Sequence, residues 1–238
     1  MKKVAVVWGA GGIGTALAKQ IQINGRHDIV ALVSRQPIDS APLGVEVVQA
    51  DMLDEASLEG AVEAITAMGS VDLIIVATGL LHDDKTQPEK TIRQVSLQAF
   101  QDVLTVNTIG PALIAKHFYS KMPTKRRTVF AAVSARVGSI SDNRLGGWYA
   151  YRASKAALNM VLKTLSIEWG RRNPQAICIG LHPGTVDTNL SAPFQTNVVR
   201  GRLFTAERAA EKLVQVVENI TVQDSGNLFA FDGTKVPE

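Results

Sequence analysis

Tyr151 and Lys155 stand four residues apart in Tyr151-Arg152-Ala153-Ser154-Lys155, a spacing that puts both on one face of a helix. A phenol titrates near pH 10 in water and is a poor base at neutral pH. A neighbouring ammonium favours the phenolate, and so does the positive ring of an oxidised nicotinamide. In that setting a tyrosine donates a proton to a carbonyl being reduced, or accepts one from an alcohol. Chance supplies Tyr-x-x-x-Lys often, so its place matters. The pair follows an apolar run at 128–133 and opens a long helical pattern after Gly146-Gly147.

A second chemical feature lies near the start. Gly9-Ala10-Gly11-Gly12-Ile13-Gly14 follows an apolar run and opens a helical pattern. Glycines there permit a tight turn and let backbone N–H groups approach a pyrophosphate, with the helix N-terminus adding partial positive charge. The strand–turn–helix context makes this a dinucleotide motif. The next run ends in Ser34-Arg35, where a site for an unphosphorylated ribose would hold an acidic residue. The planar fork of Arg35 suits a 2′-phosphate, hence NADP(H), the alternative being a plain surface arginine. Asp51 could accept from an adenine amine or simply start the next helix.

These residues need elements to carry them. Near-continuous apolar runs at 4–8, 28–33, 45–50, 73–77, 128–133, 176–181 and 227–231 read as parallel strands buried on both faces. Helical patterns at 13–24, 57–68, 97–121, 149–171 and 206–220 alternate with them, with Ser57 and Thr205 as N-caps. Strict alternation predicts right-handed crossovers: an α/β, doubly wound Rossmann fold with one predominantly parallel sheet of about seven strands. No repeat or linker divides the 238 residues, so they are expected to form one domain, 1–238. In such sheets ligands bind beyond the carboxyl ends of the strands, which is where the residues above fall.

Composition excludes several other classes. A net charge of +3 with no long basic run argues against nucleic acid, and Lys125-Arg126-Arg127 reads as a solvated turn. The single cysteine, Cys178, cannot form an internal disulfide and reads as a small buried hydrophobe. His27, His82, His117 and His182 lack metal-ligand spacing, so no metal is expected. A hydrolase elbow of the Gly-x-Ser-x-Gly type is absent. No apolar stretch is long enough to span a membrane. Glycines interrupt the signal-like N-terminus, which reads instead as the first strand of a cytoplasmic protein.

With the glycine turn, Asp51 and the Tyr–Lys pair in this order, the chain resembles the short-chain dehydrogenase/reductase family along essentially its whole length. Gly79-Leu80-Leu81-His82-Asp83, the stretch 138–143 and Gly226-Asn227-Leu228-Phe229-Ala230-Phe231-Asp232-Gly233 are similar to its C-factor and sniffer-type carbonyl reductase branch. The resemblance implies that Asn107 kinks a helix and holds a proton-relay water. It places Pro183, Gly184, Val186 and Thr188 at the nicotinamide amide, and adds Met52, Ala77, Thr78 and Gly79 to the cofactor set. It also implies a small carbonyl or alcohol substrate and a homodimer or homotetramer formed through the helices at 97–121 and 149–171. The stretch 190–203 is expected to form a mobile substrate lid.

Three departures from the family pattern qualify this expectation. Trp8 stands where the glycine motif usually has Thr, and the turn is one residue shorter. Val76-Ala77-Thr78-Gly79 replaces the usual Asn-Asn-Ala-Gly, so the bracing of that strand must come from elsewhere. The family's catalytic serine aligns with Ala135, one residue after Ser134, and a one-residue shift in a strand reverses a side chain's face. Either Ser134, the preferred candidate, or Ser139 reaches the substrate, or Tyr151 is the sole polar donor. The expected activity is that of an NADP(H)-dependent oxidoreductase. The rival is a C-factor-like signalling or sensor protein with weak catalysis.

Overall fold

The computed structural model describes residues 1–197 and 201–238. Seven strands form one parallel sheet: β1 (Lys3–Trp8), β2 (Ile29–Ser34), β3 (Val45–Gln49), β4 (Ser70–Val76), β5 (Thr128–Val133), β6 (Ala176–His182) and the last strand, Leu228–Ala230. Their order is β3-β2-β1-β4-β5-β6 and then that last strand. The chain thus winds outward from β1 to β3 and returns to add β4 on the other side of β1. This reversal opens a crevice at the carboxyl ends of β1 and β4. The strands alternate their side chains between two apolar layers, so they read as continuous hydrophobic runs rather than a period of two. Val4, Val6 and Trp8 face one layer and Ala5 and Val7 the other.

Helices α1 (Gly12–Asn24), α2 (Glu55–Met68), α3 (Leu97–Leu104), α4 (Gly110–Tyr119), α5 (Tyr149–Arg172) and α6 (Ala206–Asn219) cover the sheet. Thr205 caps α6 by accepting from the N–H of Arg208, as expected. The cap of α2 is Asp54, not Ser57; the Ser57 hydroxyl instead accepts from the N–H of Asp51 at 3.1 Å. Cys178 is buried, and burial pushes its thiol well above the ordinary value. A two-residue ladder between β7 (Thr185–Val186) and β8 (Leu203–Phe204) was not visible in the sequence; the last strand of the sheet is therefore β9.

The expected helix at 97–121 is two helices. A π-helical turn, Thr105–Ile109, separates α3 from α4. Pro111 lies in the first turn of α4 and cannot return an N–H to the carbonyl of Asn107. The ladder widens there by one residue, a deviation frequent at functional sites. No helix among the described residues is long and apolar enough to cross a membrane.

Candidate active site

A cleft of about 750 Å³ lies over the carboxyl ends of β1, β2 and β4. Its floor is the glycine turn. Gly9 has φ +105° and donates its N–H to Val33 O at 2.8 Å, fastening the turn to β2. A Cβ on Gly14 would lie 1.7 Å from Gly9 O, so the turn closes only with glycine there. A Cβ on Gly12 would meet Thr188 at 3.0 Å, which draws the turn after β6 against the first one. A Cβ on Gly11 would touch nothing within 4 Å, because that side is the cleft itself. Helix α1 starts here with no side-chain cap and no acidic residue in its first turn, leaving its N–H groups for an anion. These features fit a dinucleotide's pyrophosphate.

Ser34, Arg35 and Gln36 form one wall, with Asp51, Met52 and Leu53 beside them. Arg35 is exposed, so its guanidinium is available to a 2′-phosphate. Asp51 does not start α2, since Asp54 does that. Its carboxylate accepts from the N–H of Leu53 at 2.9 Å. Ile13, Ala77, Thr78, Gly79 and Thr188 also line the cleft, as do Asp187 and Leu190, which the sequence did not single out. Pro183, Gly184 and Val186 are not among the lining residues. Gly184, at φ +78°, is packed against Phe204 and Phe231, and Val186 is buried beside Phe204 and Ala209. They support the cleft from behind.

Behind the Gly79 end of the cleft, α5 carries Tyr151 and Lys155, both buried and neither among the residues that line it. The ammonium of Lys155 lies 5.7 Å from the Tyr151 ring centroid and donates to Val133 O at 2.8 Å. A Cβ on Gly79 would make ordinary contact with Lys155 Nζ at 3.8 Å, so the amine lies just behind this lining residue. Burial lowers the Lys155 pKa to about 7 and pushes the Tyr151 phenol well above its ordinary value. Burial therefore disfavours the charged form of both side chains.

Asn107 braces this end. Its Nδ2 donates to Leu80 O at 2.8 Å and to Ser154 Oγ at 3.0 Å, and its Oδ1 accepts from the N–H of Leu80 at 2.7 Å. Ser154 in turn donates to Tyr151 O at 2.8 Å. The amide is thus committed to protein partners on both sides. This is the bracing that the missing Asn-Asn-Ala-Gly would have given, supplied from the π turn instead. The sequence signalled Asn107 but not Ser154, whose value lies in joining the two segments.

The serine expectation needs correction. Ser134 is buried and its hydroxyl donates to Asn159 Oδ1 at 2.8 Å, on the α5 side of the sheet. Its neighbour Ala135 packs in the cluster that holds Tyr151, together with Leu80, Val137, Trp148, Leu190 and Phe194. Alternation along the extended chain causes this, and the loop does not undo it. Ser139 is buried too, accepting from the N–H of Asp142 at 3.2 Å. A methyl group therefore faces Tyr151 where a hydroxyl was sought. His182 does not line the cleft: it is largely buried with Nδ1 unpartnered, and desolvation lowers its pKa to about 4.

Aromatic rings close over the tyrosine. Trp148 packs edge-on against Tyr151 at 6.1 Å and against Phe194 at 5.0 Å, and Phe194 meets His82 at 5.6 Å. Phe194 belongs to the helical turn Ala192–Asn197, part of the stretch read as a lid; residues 198–200 of that stretch lie outside the described residues.

The model of the short chain dehydrogenase family matches residues 2–198. C-signal of Myxococcus xanthus is 32% identical over 133 residues, covering 56% of this chain and 75% of the relative. The NADPH-bound carbonyl reductase from chicken fatty liver superposes with a TM-score of 0.84 at 22% identity, over 100% of this chain and 94% of that one. The carbonyl reductase Sniffer of D. melanogaster gives 0.84 at 20%, over 98% and 99%. At these identities the two structures speak to the fold, which they share with this chain.

Proposed function

Because this chain belongs to the short-chain dehydrogenase family, we propose that it is an NADP(H)-dependent oxidoreductase acting on a small carbonyl or alcohol substrate. One observation carries the reading: the buried Tyr151–Lys155 pair lies directly behind Gly79, which lines a dinucleotide-sized cleft. The bound cofactor would supply or accept the hydride at the substrate carbon. Tyr151 gives its hydroxyl proton to the carbonyl oxygen in reduction and takes it back in oxidation. Burial favours the protonated phenol, the form that donates in reduction. Lys155 would hydrogen-bond the nicotinamide ribose through its amine, while Asn107 and Ser154 fix the backbone that carries Tyr151. Arg35 holds the 2′-phosphate. We further propose a single domain over 1–238, working in the cytoplasm as a homodimer or homotetramer. Exposed Leu97, Ile109, Met160 and Ile167 lie on the helices expected to associate.

The methyl of Ala135 beside Tyr151 favours a second reading, a sensor that binds NADP(H) with little turnover. The test is NADPH oxidation against a panel of aldehydes, ketones and quinones. Turnover is expected; tight NADPH binding without turnover of any substrate would establish the sensor instead. Arg35→Ala should erase the preference for NADPH over NADH, roughly a 10-fold or larger effect for a lost charge-assisted contact. An unchanged preference refutes the role of Arg35.

A further inference from the structure

Glu89 has no part in the reaction described above, yet it is one of the few buried acidic side chains, 3% exposed. It lies in the excursion between β4 and α3. None of the ion pairs among the described residues includes it. A carboxylate buried without a cation is costly unless hydrogen bonds and local dipoles hold it. Both its oxygens accept from the N–H of Ala150, at 3.3 and 3.2 Å, in the first turn of α5. Its backbone carbonyl accepts from the N–H of Trp148 at 2.5 Å. Glu89 therefore grips the chain on both sides of Tyr149, immediately ahead of Tyr151.

That chain is strained. Gly146 and Gly147 both have φ +66°, and Trp148 follows at φ +52°, the one non-glycine residue with positive φ among those described. Left-handed backbone is unfavourable for an ordinary L-residue. Trp148 is also the N-cap of α5 and supplies no side-chain acceptor. The carboxylate of Glu89 replaces that missing cap from a distant segment, where the partial positive charge of the 24-residue helix favours an anion. The strain is spent on position, since it turns the Trp148 ring onto Tyr151 and Phe194.

The excursion that delivers Glu89 is built to hold it. Asp83 accepts from the N–H groups of Lys85 and Thr86, at 2.9 and 2.7 Å. Gln94 accepts from those of Lys90 and Thr91, at 2.7 and 3.3 Å. Glu89 lies between these two local closures.

We propose that Glu89 is a positioning residue for the reaction. By capping α5 from outside and clamping the left-handed Trp148, it sets the place of the Tyr151 hydroxyl and of the aromatic wall above it. The inference rests on Tyr151 being the proton donor. It acts on chemistry and not on the cofactor, whose cradle lies at the other end of the cleft.

The experiment compares wild type with Glu89→Ala, Glu89→Asp and Glu89→Gln. It measures kcat, NADPH affinity by fluorescence, and amide hydrogen exchange over residues 144–152. Glu89→Ala should lower kcat about 10- to 100-fold, the scale of a misplaced reacting group, with NADPH affinity within about twofold. Exchange over 144–152 should quicken. Glu89→Gln keeps an acceptor oxygen and should stay within about fivefold of wild-type kcat. Glu89→Asp keeps the charge but loses the reach, and should resemble Ala; it serves if the Ala variant does not fold. Wild-type kcat in both Ala and Asp variants overturns the proposal, and so does a Gln variant as impaired as Ala. Absence of turnover in wild type would sink the proposed function, not the clamp. Exchange then decides alone: faster in Glu89→Asp supports it, unchanged overturns it.

Discussion

The turn after β1 and the turn after β5 both rely on glycine to let chain segments pass closely, but they are built on different principles. The first is self-sufficient. Residues 9–14 close on themselves, with Gly14 against Gly9 O, and the helix they start points its free N–H groups into the cleft. The second borrows almost everything. Gly138 makes room for Lys155, with a Cβ there falling 2.8 Å from that residue's own Cβ. The start of α5 then depends on Glu89, and Tyr151 depends through Ser154 on Asn107 of the π turn. A cofactor site can be specified by a short motif. A proton donor here is specified by four separate stretches of chain.

If that contrast is right, alanine at three glycines separates the two ends. Gly14→Ala forces its Cβ into Gly9 O and should cost several kcal/mol of stability, the largest effect, read as a large drop in Tm. Gly11→Ala meets no protein atom and should leave Tm unchanged while weakening NADPH about 100-fold, because the methyl occupies the cofactor's space. Gly138→Ala drives its Cβ into the backbone of Lys155 and should lower Tm and cut kcat roughly 10-fold, with a loss of NADPH affinity well below that of Gly11→Ala. A Gly138→Ala enzyme that loses affinity instead would break the comparison.

Ala135→Ser sharpens it from the chemical side. The side chain at 135 already faces the Tyr151 cluster, so a hydroxyl there should raise kcat about 10-fold, a fraction of what losing such a donor costs elsewhere. Unchanged or lower kcat would mean that the methyl is part of a working arrangement. The smallest effect concerns His182. Its folded pKa of about 4 lies below the ordinary 6.5, so between those values the unfolded chain binds the proton and the folded one does not. Stability should fall as pH drops from 6.5 toward 4, more steeply than in a His182→Asn variant. Parallel pH profiles for the two proteins would refute it.

The sequence was most legible where local chemistry dictates local shape. Seven apolar runs become the seven strands; in all but the edge strand β3, whose Glu46 and Gln49 are exposed, burial on both faces leaves few polar positions to confuse the pattern. The glycine turn was readable for the same reason: its constraints lie within six residues. Ser57 was mistaken for a cap because Asp54, three residues earlier, is an equally suitable capping residue, and residue type alone does not rank them. The division of 97–121 was missed although Pro111 stood in view, since a proline near the middle of a helical pattern kinks some helices and ends others. Ser134 was preferred over its absence because a loop adjustment cannot be read from residue types. Glu89 and Trp148 left no signal, as one acts across a long separation in the chain and the other through a backbone angle.

The central claim is that binding and chemistry reside at separate ends of one cleft, with Tyr151 as the proton donor. Tyr151→Phe tests it most directly, with kcat on a reducible carbonyl and NADPH affinity measured on the same preparation. The account predicts a kcat at least about 100-fold lower, as loss of general acid catalysis requires, and an NADPH affinity within about twofold of wild type. Undiminished kcat in Tyr151→Phe would contradict it.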